Sequence, residues 1–186
     1  MTKQILFIQG GGANVHDTWD DKLVASLESE LGQGYDVRYP RMPEESDPRF
    51  ESWRTALDLE IAGLDAGGAL VGHSVGATVL IHTVAEKPVL LKHIVSVHLI
   101  APPFIGPGGW PSDDIAAKPD LGARLPEDCA VFLYQGDTDA IVPPAHVELW
   151  ARALPQAKVR VWAGRDHQLN NDLSEVARDI ERVTPR

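Results

Sequence analysis

Short apolar runs alternate with longer amphipathic stretches along this chain of 186 residues. That alternation is the pattern of strand–helix units built around a mostly parallel sheet, and it predicts a three-layer α/β/α sandwich of about six strands. The expected strands are residues 4–9, 35–39, 69–71, 94–100, 130–134 and 158–162. Asp17 is placed to cap a helix reaching about residue 31, where Gly32 ends it. Asp47-Pro48 opens a second helix running through residue 61, with Pro48 suited to a first helical position. Further helices are expected over 75–86, 144–153 and 171–183. No repeat at solenoid or propeller spacing is present. Residues 101–127 break the alternation with six prolines and four glycines, too many for long regular structure. Because this segment follows a strand, it is expected at the carboxyl edge of the sheet, either as a flap flanking the active site or as a plain surface connection.

The length suits one self-sufficient core, so residues 1–186 are read as a single domain. Composition is that of an ordinary globular protein, with 44% hydrophobic and 24% charged residues. The net charge of −10 and the lack of a basic run oppose nucleic-acid and anionic-membrane partners. The single cysteine, Cys129, cannot form an internal disulfide and sits in an apolar stretch, as a buried structural thiol does. The first apolar run, Ile5-Leu6-Phe7-Ile8, is too short for a secretory core. No segment approaches the ~20 apolar residues of a membrane helix. A cytoplasmic protein is expected. Convincing zinc spacing and calcium-loop signatures are absent, so neither a metal nor a cofactor is expected.

The most informative stretch is Gly72-His73-Ser74-Val75-Gly76, preceded by the apolar run Ala69-Leu70-Val71 and followed by helix-like sequence. G-x-S-x-G between a strand and a helix describes a nucleophile elbow, in which a tight turn lifts one serine hydroxyl above the end of a sheet. The plainer reading is a glycine-rich turn whose serine caps the next helix.

Catalysis by a serine needs a base within reach and a carboxylate to orient it. Of the seven histidines, His167 follows the last strand in a loop that returns to the same sheet edge as Ser74. His82, His93 and His98 lie in or beside regular elements, and His73 adjoins the serine but points elsewhere across the turn. His16 and His146 are read either as lining the site or as exposed. For the acid, Asp139 in Gly136-Asp137-Thr138-Asp139 is chosen over Asp137, which is suited to bracing the turn. Asp166 is read as a turn former. An oxyanion hole needs backbone N–H groups, and these are expected from Gly11, with Gly12 next, and from Val75. Gly10-Gly11-Gly12 does not make a dinucleotide fingerprint, because Val15 occupies its last position and no Walker lysine follows. Trp19, Phe104, Ile105 and Trp110 are candidates either for lining an acyl pocket or for ordinary packing. Asp113-Asp114 is expected to face solvent.

The elbow, then Gly136-Asp137-Thr138-Asp139-Ala140-Ile141-Val142-Pro143, then Asp166-His167, resembles the α/β-hydrolase superfamily in motif and order across nearly the whole chain. In its compact, cap-poor form it looks most like the small serine hydrolases related to the retinoblastoma-binding serine hydrolase. The resemblance implies Ser74 as nucleophile, His167 as general base and then acid, and Asp139 as the carboxylate that fixes the imidazole. It implies a small-molecule acyl substrate, cleaved as an ester through an acyl-enzyme. The same machinery serves thioesterases and peptidases, and some relatives bind protein partners with or without hydrolysis. Many relatives carry histidine before the first glycine turn, where this chain has Gln9, so the bracing of that loop differs here.

Overall fold

The computed structural model describes residues 2–118 and 120–184; Met1, Pro119, Pro185 and Arg186 lie outside the described residues. Six strands, β1 (Lys3–Ile8), β2 (Tyr35–Arg38), β3 (Gly68–His73), β4 (Ile94–Ile100), β5 (Ala130–Gly136) and β6 (Lys158–Trp162), form one sheet in the order β2-β1-β3-β4-β5-β6. Every pairing is parallel, so the mostly parallel sheet expected from the alternation is parallel throughout. Among the described residues, five α-helices complete the layers: α1 (Asp21–Leu31), α2 (Phe50–Ala62), α3 (Ser74–Glu86), α4 (His146–Ala153) and α5 (Ser174–Val183).

The pleat of β1 explains how one strand serves two layers. Ile5 and Phe7 point into a cluster with Leu23 and Leu27 of α1 and Val176 and Ile180 of α5. Leu6 and Ile8 point the other way, to Trp53 and Leu57 of α2, Leu80 and Val84 of α3 and Trp150 of α4. All four β1 side chains are fully buried, and each contributes about 1.5–3 kcal/mol relative to exposure. Helix α3 is apolar on almost every side and is buried from Gly76 to Ala85, as a helix enclosed by sheet and neighbouring helices must be. Cys129 is buried just before β5, where desolvation pushes its thiol up to about 12.

Several helix starts differ from expectation. The first helix does not begin at Asp17: a wide π turn over His16–Asp20 precedes α1, which frees the Asp20 side chain for another use. Helix α2 begins at Phe50, beyond Pro48, and its Phe50 N–H donates to the carboxylate of Asp114. That exposed aspartate therefore satisfies an otherwise open helix N-terminus. Helices α4 and α5 begin two and three residues later than expected. The described residues of 101–127 pack on the α2, α3 and α4 side, where the Thr78 hydroxyl donates to the Pro103 carbonyl and the Trp150 indole donates to that of Pro102.

The chain passes from β1 to β2 on one side and then returns to place β3 on the other. This reversal opens a crevice beyond the carboxyl ends of β1 and β3, the place where open α/β sheets bind ligands.

Candidate active site

Strand β3 ends at His73 and helix α3 begins at Ser74 with no intervening loop. The turn is so abrupt that Ser74 takes φ of +51°, a left-handed conformation costing an L-residue roughly 1–3 kcal/mol. Its neighbours must be small for close packing. A Cβ on Gly72 would lie 2.6 Å from the Ala77 α-carbon, and one on Gly76 would lie 2.0 Å from the Gln9 carbonyl oxygen. Ser74 is 8% exposed and lines a cavity of about 390 Å³ together with Gly10, Gly11, His73, His167 and Trp19.

His167, in the loop after β6, has Nδ1 2.7 Å from Oδ2 of Asp139. Asp139 is buried and also accepts from the Gln135 amide and from the Ile141 and Val142 backbone N–H groups, each at 2.8 Å. Desolvation raises the proton affinity of this carboxyl, but the His167 contact and the two backbone donors outweigh it and hold Asp139 below the usual carboxylate range. Asp137 accepts the Gly164 N–H at 2.6 Å and braces the turn. Asp166 accepts from the Gln168 and Asn170 N–H groups. With Nδ1 committed to Asp139, Nε2 of His167 has no protein partner among the described residues, and no hydrogen bond joins the imidazole to the Ser74 hydroxyl. Such contacts are often long until substrate is bound.

The glycine loop after β1 divides its N–H groups sharply. Gly10 donates to Asp20 at 2.6 Å and Gly12 to the Glu45 carbonyl at 2.6 Å. The Gly11 N–H, between them, has no acceptor among the described residues, and Gly11 borders the cavity. Gly11 also lies against Val75 and Pro48. Gln9 does the bracing that the sequence left open: its side-chain Nε2 donates to Glu45 at 2.6 Å, and its side-chain Oε1 accepts from the Met42 N–H at 3.0 Å.

Of the four residues considered for an acyl pocket, Trp19 borders this cavity, 53% exposed at its mouth. Phe104 lines a second concavity, and Ile105 and Trp110 a third. None of the described residues of 101–127 borders the cavity beside Ser74. Instead Val15, Ala140 and Ile141 join Trp19 on the apolar wall. His146 is buried and accepts the Phe104 N–H, while His16 stacks on Tyr39; neither lines the cavity.

Sequence reasoning missed a second acid–imidazole contact. Asp20 is fully buried and His73 is 1% exposed. Nδ1 of His73 lies 2.9 and 3.0 Å from the two Asp20 oxygens, and its Nε2 lies 3.1 Å from the His167 carbonyl oxygen. Nothing in the sequence distinguished Asp20 from Asp21, since both precede the same apolar helix face; only the π turn separates their directions.

Among the described residues, no group of three or more His, Cys, Asp or Glu side chains is placed to hold a metal ion, and no helix is long and apolar enough to cross a membrane.

The parallel sheet, the strained serine at the β3–α3 junction and the imidazole–carboxylate contact beyond β5 and β6 define an α/β-hydrolase. The chain belongs to the serine hydrolase family, whose model matches residues 6–172. Curated proteins include no match. Solved structures of similar fold include a putative YdeN-like hydrolase from Pectobacterium atrosepticum, 17% identical over 98% of this chain and 94% of that one, with a TM-score of 0.66. Est1E from Butyrivibrio proteoclasticus is 15% identical over 97% and 86% of the two chains, with a TM-score of 0.67. A monoacylglycerol lipase from Paleococcus ferrophilus is 18% identical over 98% and 95%, with a TM-score of 0.65.

Proposed function

We propose that this serine hydrolase cleaves small carboxylic esters or related acyl bonds through an acyl-enzyme formed on Ser74. The observation that carries this reading is the Asp139–His167 contact at 2.7 Å on the same cavity as a serine strained into the left-handed region. Nε2 of His167 takes the Ser74 hydroxyl proton as Oγ bonds to the substrate carbonyl carbon. The oxyanion is met by the free N–H of Gly11 and by that of Val75, the residue after the nucleophile. As the tetrahedral species collapses, the bond to the alcohol oxygen breaks and His167 returns the proton to it. Water then attacks the acyl-enzyme with His167 again as base, releasing the acid and restoring the serine.

The cavity of about 390 Å³ falls near the small end of the ~300–1,000 Å³ usual for such sites. Its wall of Val15, Trp19, Ala140 and Ile141 favours a small apolar acyl or aryl group. Est1E has been solved with ferulic acid bound, a ligand of that general kind. A panel of p-nitrophenyl esters, thioesters and aminoacyl amides assayed beside Ser74→Ala tests the reading. Short esters should turn over and the variant should lose turnover to background. Equal turnover in the variant would contradict Ser74 as the nucleophile, and no turnover with any member of the panel would contradict the hydrolase reading and favour a binding protein.

A further inference from the structure

The geometry points to a second acid–imidazole unit, Asp20 with His73, held as a buried carboxylate–imidazolium ion pair that ties the loops after β1 and β6 to the β3–α3 junction and keeps a positive charge beside the His167 ring.

Hydrogen-bond chemistry leads to the charge. Nδ1 of His73 faces an aspartate and Nε2 faces a backbone carbonyl. A carboxylate and a carbonyl only accept, so making both bonds requires a proton on each ring nitrogen, which is the cationic form. The competing arrangement leaves the ring neutral and puts the proton on Asp20. Against it, Asp20 already receives the Gly10 N–H at 2.6 Å on Oδ2 and the Gln168 amide at 3.2 Å on Oδ1. With donors on both oxygens, the carboxylate is solvated by protein in its ionised form. An imidazole also holds a proton more tightly than a carboxylate by more than two pKa units before any environment acts, ~6.5 against ~3.9. Desolvation opposes charge on both groups, yet their mutual attraction and these hydrogen bonds outweigh it, lowering Asp20 and raising His73 from their ordinary values.

Position makes the pair a hub. Asp20 holds the loop after β1 through Gly10, and the loop after β6 through Gln168. His73 sits at the end of β3 beside Ser74 and holds the backbone of His167 itself. A Cβ on Gly10 would lie 3.3 Å from both His73 Nδ1 and the Ser74 Cβ, so the hub and the serine share one packed volume. The donor of Gly11, the serine and the imidazole are thereby held in mutual register by residues that touch none of the reacting atoms. These are positioning residues.

The charge has a second effect. The His73 and His167 ring centroids are 4.8 Å apart. His167 is lowered from its ordinary value, first by burial and further by the neighbouring His73 charge, against the opposing Asp139 contact and the more distant Asp20. The groups charged toward His73 are Asp20 and, farther off, Asp139. A fixed cation here keeps His167 neutral, and so able to accept a proton, further into the acidic range.

The kinetic part rests on the hydrolase reading, whereas the charge state does not. Two-bond 1H–15N spectra of the full chain, labelled with 13C and 15N and assigned through bonds from the backbone, read the charge without any substrate. Both His73 nitrogens should carry protons at about pH 7, where a free histidine is mostly neutral. A neutral pattern at about pH 7, with one bare nitrogen, would overturn the ion pair, and this reading needs no folded variant. In Asp20→Asn the same spectra should show His167 titrating at higher pH. The acid limb of kcat/KM should move with it, so that activity below the limb falls about tenfold for each unit moved. A His167 titration unchanged in folded Asp20→Asn would overturn the electrostatic role. If no acyl substrate turns over, the spectra still decide the pair.

Discussion

Asp137 and Asp139 are two residues apart in one turn, yet they answer to different donors. Asp137 accepts a single backbone N–H from Gly164, while Asp139 gathers two backbone N–H groups, an amide and the His167 ring. The turn chemistry of the motif made the two roles readable in outline, since an aspartate can brace its own turn. What the sequence could not carry was Asp20 with His73, a contact between positions 53 apart that depends on a π turn no local pattern announces. The bracing of Gln9 by Glu45 was hidden for the same reason, because both partners sit in irregular loops. If Asp139 holds the imidazole, Asp139→Asn should lower kcat by as much as ~10⁴-fold through the wrong tautomer, and Asp137→Asn should leave it within about tenfold. Steady-state kinetics of the two variants on one ester checks this, and the reverse ranking would exchange their roles.

The β3–α3 junction is the element on which the site depends most. Its strand, glycines and helix were all legible, because the apolar run, the tight-turn residues and the apolar helix stand in immediate succession. Helix starts were less so: Asp47 and Pro48 look like an N-terminus, but α2 waits until Phe50, whose free N–H donates to Asp114 from a distant segment. Long-range capping of this sort leaves no local signature. At the junction, Gly76→Ala would drive a methyl into the Gln9 carbonyl and press on the loop that carries Gly11. We expect a loss of about 1–3 kcal/mol, read as a fall in Tm of roughly 2–4 °C per kcal/mol for a chain of this size. A Tm within about 1 °C of the parent would show that the junction yields more easily than its packing indicates.

The assembled sheet places the carboxyl ends of β1, β3, β5 and β6 around one crevice, and every group of the proposed mechanism comes from the turn following one of these strands. The alternation of strands and helices foretold the class of fold, but not the order β2-β1-β3-β4-β5-β6. Strand order is a matter of tertiary packing, so neither could it reveal on which side residues 101–127 would lie. Their proline and glycine content was compatible with a flap or a plain connection; in the structure Pro102 and Pro103 accept hydrogen bonds from Trp150 of α4 and Thr78 of α3. The site is left with an exposed Trp19 and an Ile141 that is 61% exposed at its margin. Reaction of the folded chain with a fluorophosphonate, followed by intact-mass measurement and peptide mapping, interrogates the convergence of serine, imidazole and carboxylate without knowledge of the natural substrate. One adduct should form, on the peptide bearing Ser74, and none should form in Ser74→Ala; a folded chain left unmodified, or modified at a different residue, would contradict the assignment of Ser74 as the nucleophile.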